Sequence, residues 1–176
     1  IAKYHSGLNN LFNLTNWKYM DNKQELLSKG FHYHDSTTAV DIFDTSSVSD
    51  EQVLSEEINN MFTELLAYCK DNGHQVLFVV YPYSGADEDQ RKYNYMLGKI
   101  EEYGFGYLNM HENMKEVGLN TKTDFYDWNH VNILGADKVT AYLGQYLFEH
   151  YDLPDNRNNE AYKSWNEDYK IWNDEM

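Results

Sequence analysis

This chain is poor in cysteine, in positive charge and in long apolar runs. Cys69 is the only cysteine among 176 residues, so no internal disulfide is possible. A single thiol leaves the compartment open, because it suits a cytosolic protein and equally a surface protein that avoids thiols. Lysine and arginine number 14 against 29 aspartates and glutamates, a formal charge of −15. Such a surface repels phosphate, which speaks against binding nucleic acid or anionic lipid through charge. No apolar run approaches the ~20 residues of a membrane-spanning helix, and no signal peptide is visible. The chain begins at Ile1 rather than Met, and an upstream segment is expected to have been removed.

What remains reads as globular. Apolar residues make up 41% and charged residues 24%, in a length that suits one domain. Sixteen tyrosines and four tryptophans against eight phenylalanines place many amphipathic rings at surfaces or pocket walls.

Along the chain, Leu8, Leu11, Phe12 and Trp17 suit a short helix, and "FHYHDSTT" and "VDIF" (40–43) suit strands or extended loops. Ser49 with Gln52 three residues on reads as a capping box opening a helix over 50–72. Its apolar positions are Leu54, Ile58, Met61, Phe62, Leu65 and Cys69, with Gly73 as the stop. Cys69 on that face is expected to be a buried, unreactive thiol. "QVLFVVYPY" (75–83) is a continuous apolar run, the pattern of a strand covered on both faces. Its core, 76–80, is expected to be the most buried strand of the sheet, with the helices at 50–72 and 133–151 against it.

Asp87–Tyr103 predicts a second helix, "FGYLNM" (105–110) a second strand, and Ile133–Tyr151 a third helix. This alternation implies an α/β fold with a mostly parallel sheet. Residues 155–176 place Tyr162, Trp165, Tyr169 and Trp172 on one stripe of a charged segment, expected to be a helical tail docked on the body formed by 1–154.

Asp127 and His130 stand in a polar aromatic loop just before the third helix. In open α/β sheets, ligands bind beyond the carboxyl ends of the strands, where such loops lie. A carboxylate accepting from one imidazole nitrogen fixes the tautomer and leaves the other nitrogen to take a proton. Three readings stay open on spacing alone: a base with its orienter, a metal site, or a purely structural pair. No second cluster with metal-ligand spacing stands out, since His32-x-His34 is only a strand-period pair.

The surrounding residues carry a resemblance. "DWNHVNILGADKVTAYLGQYL" resembles the final block of the SGNH (GDSL-like) hydrolases and acyltransferases, and most of all the bacterial cell-surface, DltD-like acyl-transfer branch. "IAKYHSGLNNL" and "YDLPDNR" are similar to flanking segments of such proteins, so the likeness spans residues 1–157 and is strong over 124–157. It implies a three-layer α/β/α fold of flavodoxin-like type, incomplete at its N-terminus. Asp127 would orient His130, and His130 would serve a serine as general base and acid. Trp128, Asn129, Asn132, Tyr83 and Ser84 would line the substrate.

The family's serine sits in a Gly-Asp-Ser-like turn after the first strand, and none of these 176 residues forms that turn. Ser6 has no strand before it, Ser46-Ser47 lacks the glycine, and Ser84 ends a strand without the motif. The nucleophile is therefore expected upstream of this chain, in an enzyme of which these residues form the C-terminal portion. The resemblance further implies no cofactor, an acyl donor, and a cell-envelope polymer or glycan acceptor. It also implies a membrane acyltransferase partner and a site on the outer face of a bacterial membrane. The other reading is a non-catalytic module that binds glycan or protein through tyrosines on the same scaffold.

Overall fold

The computed structural model describes residues 34–175, with side chains through Ile171. The helix expected around Leu8–Trp17, Ser6, His32 and the start of "FHYH" lie outside the described residues.

Residues 34–55 form no strand and hold only a 3-10 turn at Thr45–Ser47. Instead of "VDIF" joining a sheet, Val40 N–H donates to Thr121 O at 2.9 Å and Thr38 N–H to Phe125 O at 2.8 Å. Helix α1 is Glu56–Asp71, and Ser55 caps it by accepting from Ile58 N–H at 3.4 Å. The Ser49 capping box does not form. Asp50 pairs with Arg91 at 3.0 Å, and the Asn94 amide donates to the carbonyls of Val48 and Asp50. These tertiary bonds hold the segment out of helical geometry until Ser55, where Glu56 and Glu57 suit the positive helix end.

Strand β1 (Leu77–Val80) and strand β2 (Gly106–Asn109) pair in parallel, Leu77 opposite Gly106 and Val80 opposite Asn109. Helix α2 (Asp87–Tyr103) connects them. It opens with Asp87, Glu88 and Asp89 at its positive end and stops at Gly104, which takes the left-handed conformation at φ 82°. A short helix α3 (Met114–Val117) and helix α4 (Ile133–His150) follow. The chain is α/β, as its alternation implies.

Because side chains alternate along a strand, β1 serves two clusters. Phe78 packs with Phe62 and Leu66 of α1, Ile100 of α2 and Tyr107 of β2. Leu77 and Val79 pack with Leu108, Met110, Val117 and Val139, joined by Tyr142, Leu143 and Tyr146 of α4. Helices thus cover both faces of β1, yet its four residues are only half-buried, whereas Leu108 and Asn109 of β2 are buried. Among the described residues β1 pairs with β2 alone, and its other edge has no partner strand there. The expectation that 76–80 is the most buried strand is corrected: a continuous apolar run reports covered faces, not paired edges.

The face of α1 is corrected too. Phe62, Leu66 and Cys69 are its buried residues, while Ile58, Met61 and Leu65 are about half exposed. Apolar residues occupy so much of this helix's circumference that periodicity alone does not choose its orientation.

From Pro154 onward the chain belongs to a separate unit. It contains a 3-10 turn at Glu160–Tyr162 and helix α5 (Lys163–Glu175), with Trp165 57% and Tyr169 66% exposed.

Candidate active site

The loop carrying Asp127 and His130 is closed at its base. Phe125, with no exposed surface, and Val131 form an antiparallel bridge, and Tyr126 N–H donates to His130 O at 2.9 Å. Inside the loop the Asp127 carboxylate accepts the backbone N–H groups of Asn129 at 2.8 Å and His130 at 2.9 Å. The same carboxylate meets His130 Nδ1, at 2.9 Å from Oδ1 and 3.0 Å from Oδ2.

Partial burial pushes the Asp127 carboxyl up. The N–H of Asn129 and the His130 ring outweigh it and hold the carboxyl below its usual range. An ionised carboxylate only accepts, so the shared proton rests on Nδ1. The His130 side chain is 63% exposed and that of Asp127 41%, so the charge attraction is largely screened. What the carboxylate supplies is tautomer and orientation. That is the geometry of a general base with its orienter.

A buried polar post stands beneath the loop. The Asn132 side chain caps α4, accepting from Leu134 N–H at 3.1 Å and Gly135 N–H at 3.2 Å. Its amide donates to Thr123 O at 2.7 Å and reaches Ser36 O and Thr37 Oγ1. At 1% exposure with every polar atom engaged, Asn132 lines no substrate; this corrects its assignment. Beside it the buried Asp124 binds Lys138 Nζ at 2.6 Å, Asn120 N–H and the Thr123 hydroxyl. Burial raises the Asp124 carboxyl, and these three partners bring it below its usual range.

The segment after β1 reaches the loop directly: Ser84 N–H donates to Trp128 O at 2.7 Å. A cleft of about 340 Å³ opens along β1 and is lined by Phe78–Tyr83, Tyr93, Met96, Ile100, Tyr107 and Asn129. Of the residues expected to line substrate, Tyr83 and Asn129 border this cleft, while Trp128 and Ser84 do not. Trp128 is 53% exposed on the loop, and Ser84 is held through its backbone. The phenols of Tyr83 and Tyr93 bond each other at 3.1 Å, and burial pushes the Tyr83 and Tyr107 hydroxyls well above their ordinary range. Tyr83 and Tyr107 are therefore neutral at physiological pH.

Tyr93 and Tyr107 were legible only as members of a helix and a strand. Nothing in the sequence couples Asp124 to Lys138, and His111, which underlies Gly85, carries no motif. Among the described residues no three His, Cys, Asp or Glu side chains are arranged to hold a metal ion, and no helix is long and apolar enough to cross a membrane. No family model, curated protein or solved structure matches the chain.

Proposed function

We propose that this chain is the C-terminal portion of a serine-dependent acyl-transfer or ester-hydrolysing enzyme of SGNH, DltD-like type, with a flavodoxin-like three-layer domain. The observation that carries the reading is the His130 Nδ1 contact with Asp127 at 2.9 Å, with the rest of the ring open to solvent. In this reading His130 Nε2 removes the proton from a serine supplied by polypeptide outside these residues. It then returns a proton to the leaving group, while Asp127 holds the tautomer and stabilises the imidazolium. The acceptor is a cell-envelope polymer or glycan, the acyl donor is handed over by a membrane acyltransferase, and the reaction runs on the outer face of a bacterial membrane.

The test is labelling of the serine-bearing polypeptide with a fluorophosphonate, which reacts with activated serines. Labelling lost on His130→Ala and weakened on Asp127→Asn supports the reading. Labelling indifferent to His130→Ala sinks it. A second reading, a glycan-binding module, is favoured by the four tyrosines that line the cleft, since aromatic faces stack on sugar rings. It requires saturable glycan binding that Tyr93→Ala abolishes and His130→Ala leaves unchanged.

A further inference from the structure

His111 follows β2 and is 5% exposed. Its backbone N–H donates to Asn109 Oδ1 at 3.0 Å, and Asn109 is itself 4% exposed, so the residue is anchored at the carboxyl end of the strand. The imidazole lies beneath the turn that joins β1 to α2. A Cβ on Gly85 would sit 2.9 Å from His111 Cε1 and 3.0 Å from Nε2, closer than side-chain atoms approach. Gly85 is also held at φ 68°, so this position admits glycine on two independent grounds. The Tyr83 ring stands 5.1 Å from the imidazole.

The residue before Gly85 makes the connection. Ser84 accepts from Phe43 N–H at 2.9 Å and donates to the carbonyl of Trp128 at 2.7 Å. Trp128 is the residue after Asp127, in the turn whose N–H groups the Asp127 carboxylate gathers.

We propose that His111 is a positioning residue for the Asp127–His130 pair: its buried ring sets the height of the Ser84–Gly85 turn, and that turn holds the loop through Trp128. Its catalytic meaning rests on the general-base reading of His130, but its geometry does not. Packed side chains pass a displacement on rather than absorb it. A shift of a few tenths of an ångström at Ser84 therefore reaches the peptide that separates orienter from base. Burial pushes the His111 imidazole down in pKa, while the carboxylates of Glu112 and Asp89 pull it up, and it stays neutral near pH 7. Its Nδ1 has no partner, as a neutral ring allows and an imidazolium would not.

The experiment is nitrogen-15 NMR of the histidine rings in the 176-residue chain, at a pH where imidazoles are neutral. Ring nitrogen shifts report which nitrogen of His130 carries the proton. Wild type should hold it mainly on Nδ1. His111→Ala should lower the Nδ1–H to Nε2–H ratio at least threefold, toward the form free histidine prefers. Gly85→Ala, which presses on the ring from the other side, should do the same. His111→Phe keeps a flat ring under Gly85 and should restore the ratio. If His111→Ala does not fold, His111→Leu, which fills the volume without a flat ring, carries the same expectation. Val139→Ala, in the cluster on the other face of β1, should lower stability with the ratio unchanged.

Folded His111 and Gly85 variants that keep the wild-type ratio overturn the proposal, as does an equal change in Val139→Ala. So does a wild type with no Nδ1–H preference. An inactive serine-bearing polypeptide with the wild-type ratio intact would instead overturn the acyl-transfer reading alone.

Discussion

Gly135, in the first turn of α4, lies so close to the carbonyl of Asp124 that a side-chain carbon there would overlap it. The same carbonyl accepts from Asn132 N–H at 3.0 Å, so helix α4 starts directly on the strip of chain that leads into the Asp127–His130 loop. Gly135→Ala should cost about 1–3 kcal/mol, the range for overpacking a close contact. A thermal melt should show a fall of several degrees, and a melt unchanged from wild type would contradict the contact.

Asn132 makes a second prediction. A lost N-cap costs about 1 kcal/mol, but Asn132→Ala also strands buried carbonyls, so the loss should reach about 2 kcal/mol or more. Because the side chain is buried and touches no cleft, KM should not change. A raised KM in a fully folded variant would restore the discarded substrate-lining role.

Lys138→Met removes the cation from the buried Asp124. At neutral pH it should destabilise the chain by about 1–3 kcal/mol, the cost of an unpaired buried polar group. Lys138 lowers the folded pKa of Asp124. The stability it contributes is therefore fully present above the unfolded carboxyl value of about 3.9 and lost as pH falls through the folded value. Urea melts of variant and wild type should begin to converge below about pH 4 and meet once pH is below the folded value. A gap that persists in acid would show that packing, not charge, is responsible.

The final prediction concerns activity. These 176 residues alone should hydrolyse p-nitrophenyl acetate little faster than free imidazole, because a base without a paired serine gains at most the ~10²–10⁴-fold of general-base help. In the serine-bearing polypeptide, His130→Ala should lower kcat by several orders of magnitude. Asp127→Asn should lower it by about 10²–10⁴-fold through the wrong tautomer. Saturable turnover by the 176 residues, abolished by mutating one of their own serines, would locate a nucleophile within them.

Much of the layout was legible. Asp87–Tyr103 matches the helix expected from Tyr93, Met96, Leu97 and Ile100 on one face and the glycine after it, and Ile133 opens α4 as expected. Cys69 is buried as its helical position predicts. The failures share one cause. Ser49, Asp50 and Gln52 spell a local helix start, but Arg91 and Asn94, some forty residues away, claim that segment first. Leu65 and Leu66 are equally apolar, and only the position of α1 over Phe78 and Ile100 makes Leu66 the buried one.

The sequence by itself determined the α/β alternation and put Asp127 three residues before His130, because both follow from near neighbours: helical period, strand composition and loop spacing. Tertiary structure alone decided that Asn132 is a buried post, that β1 pairs with β2 alone among the described residues, and that His111 sits under Gly85 beside the loop. Each of those depends on which distant surfaces meet, and a buried polar group or an unpaired edge is defined by its partners rather than by its residue type.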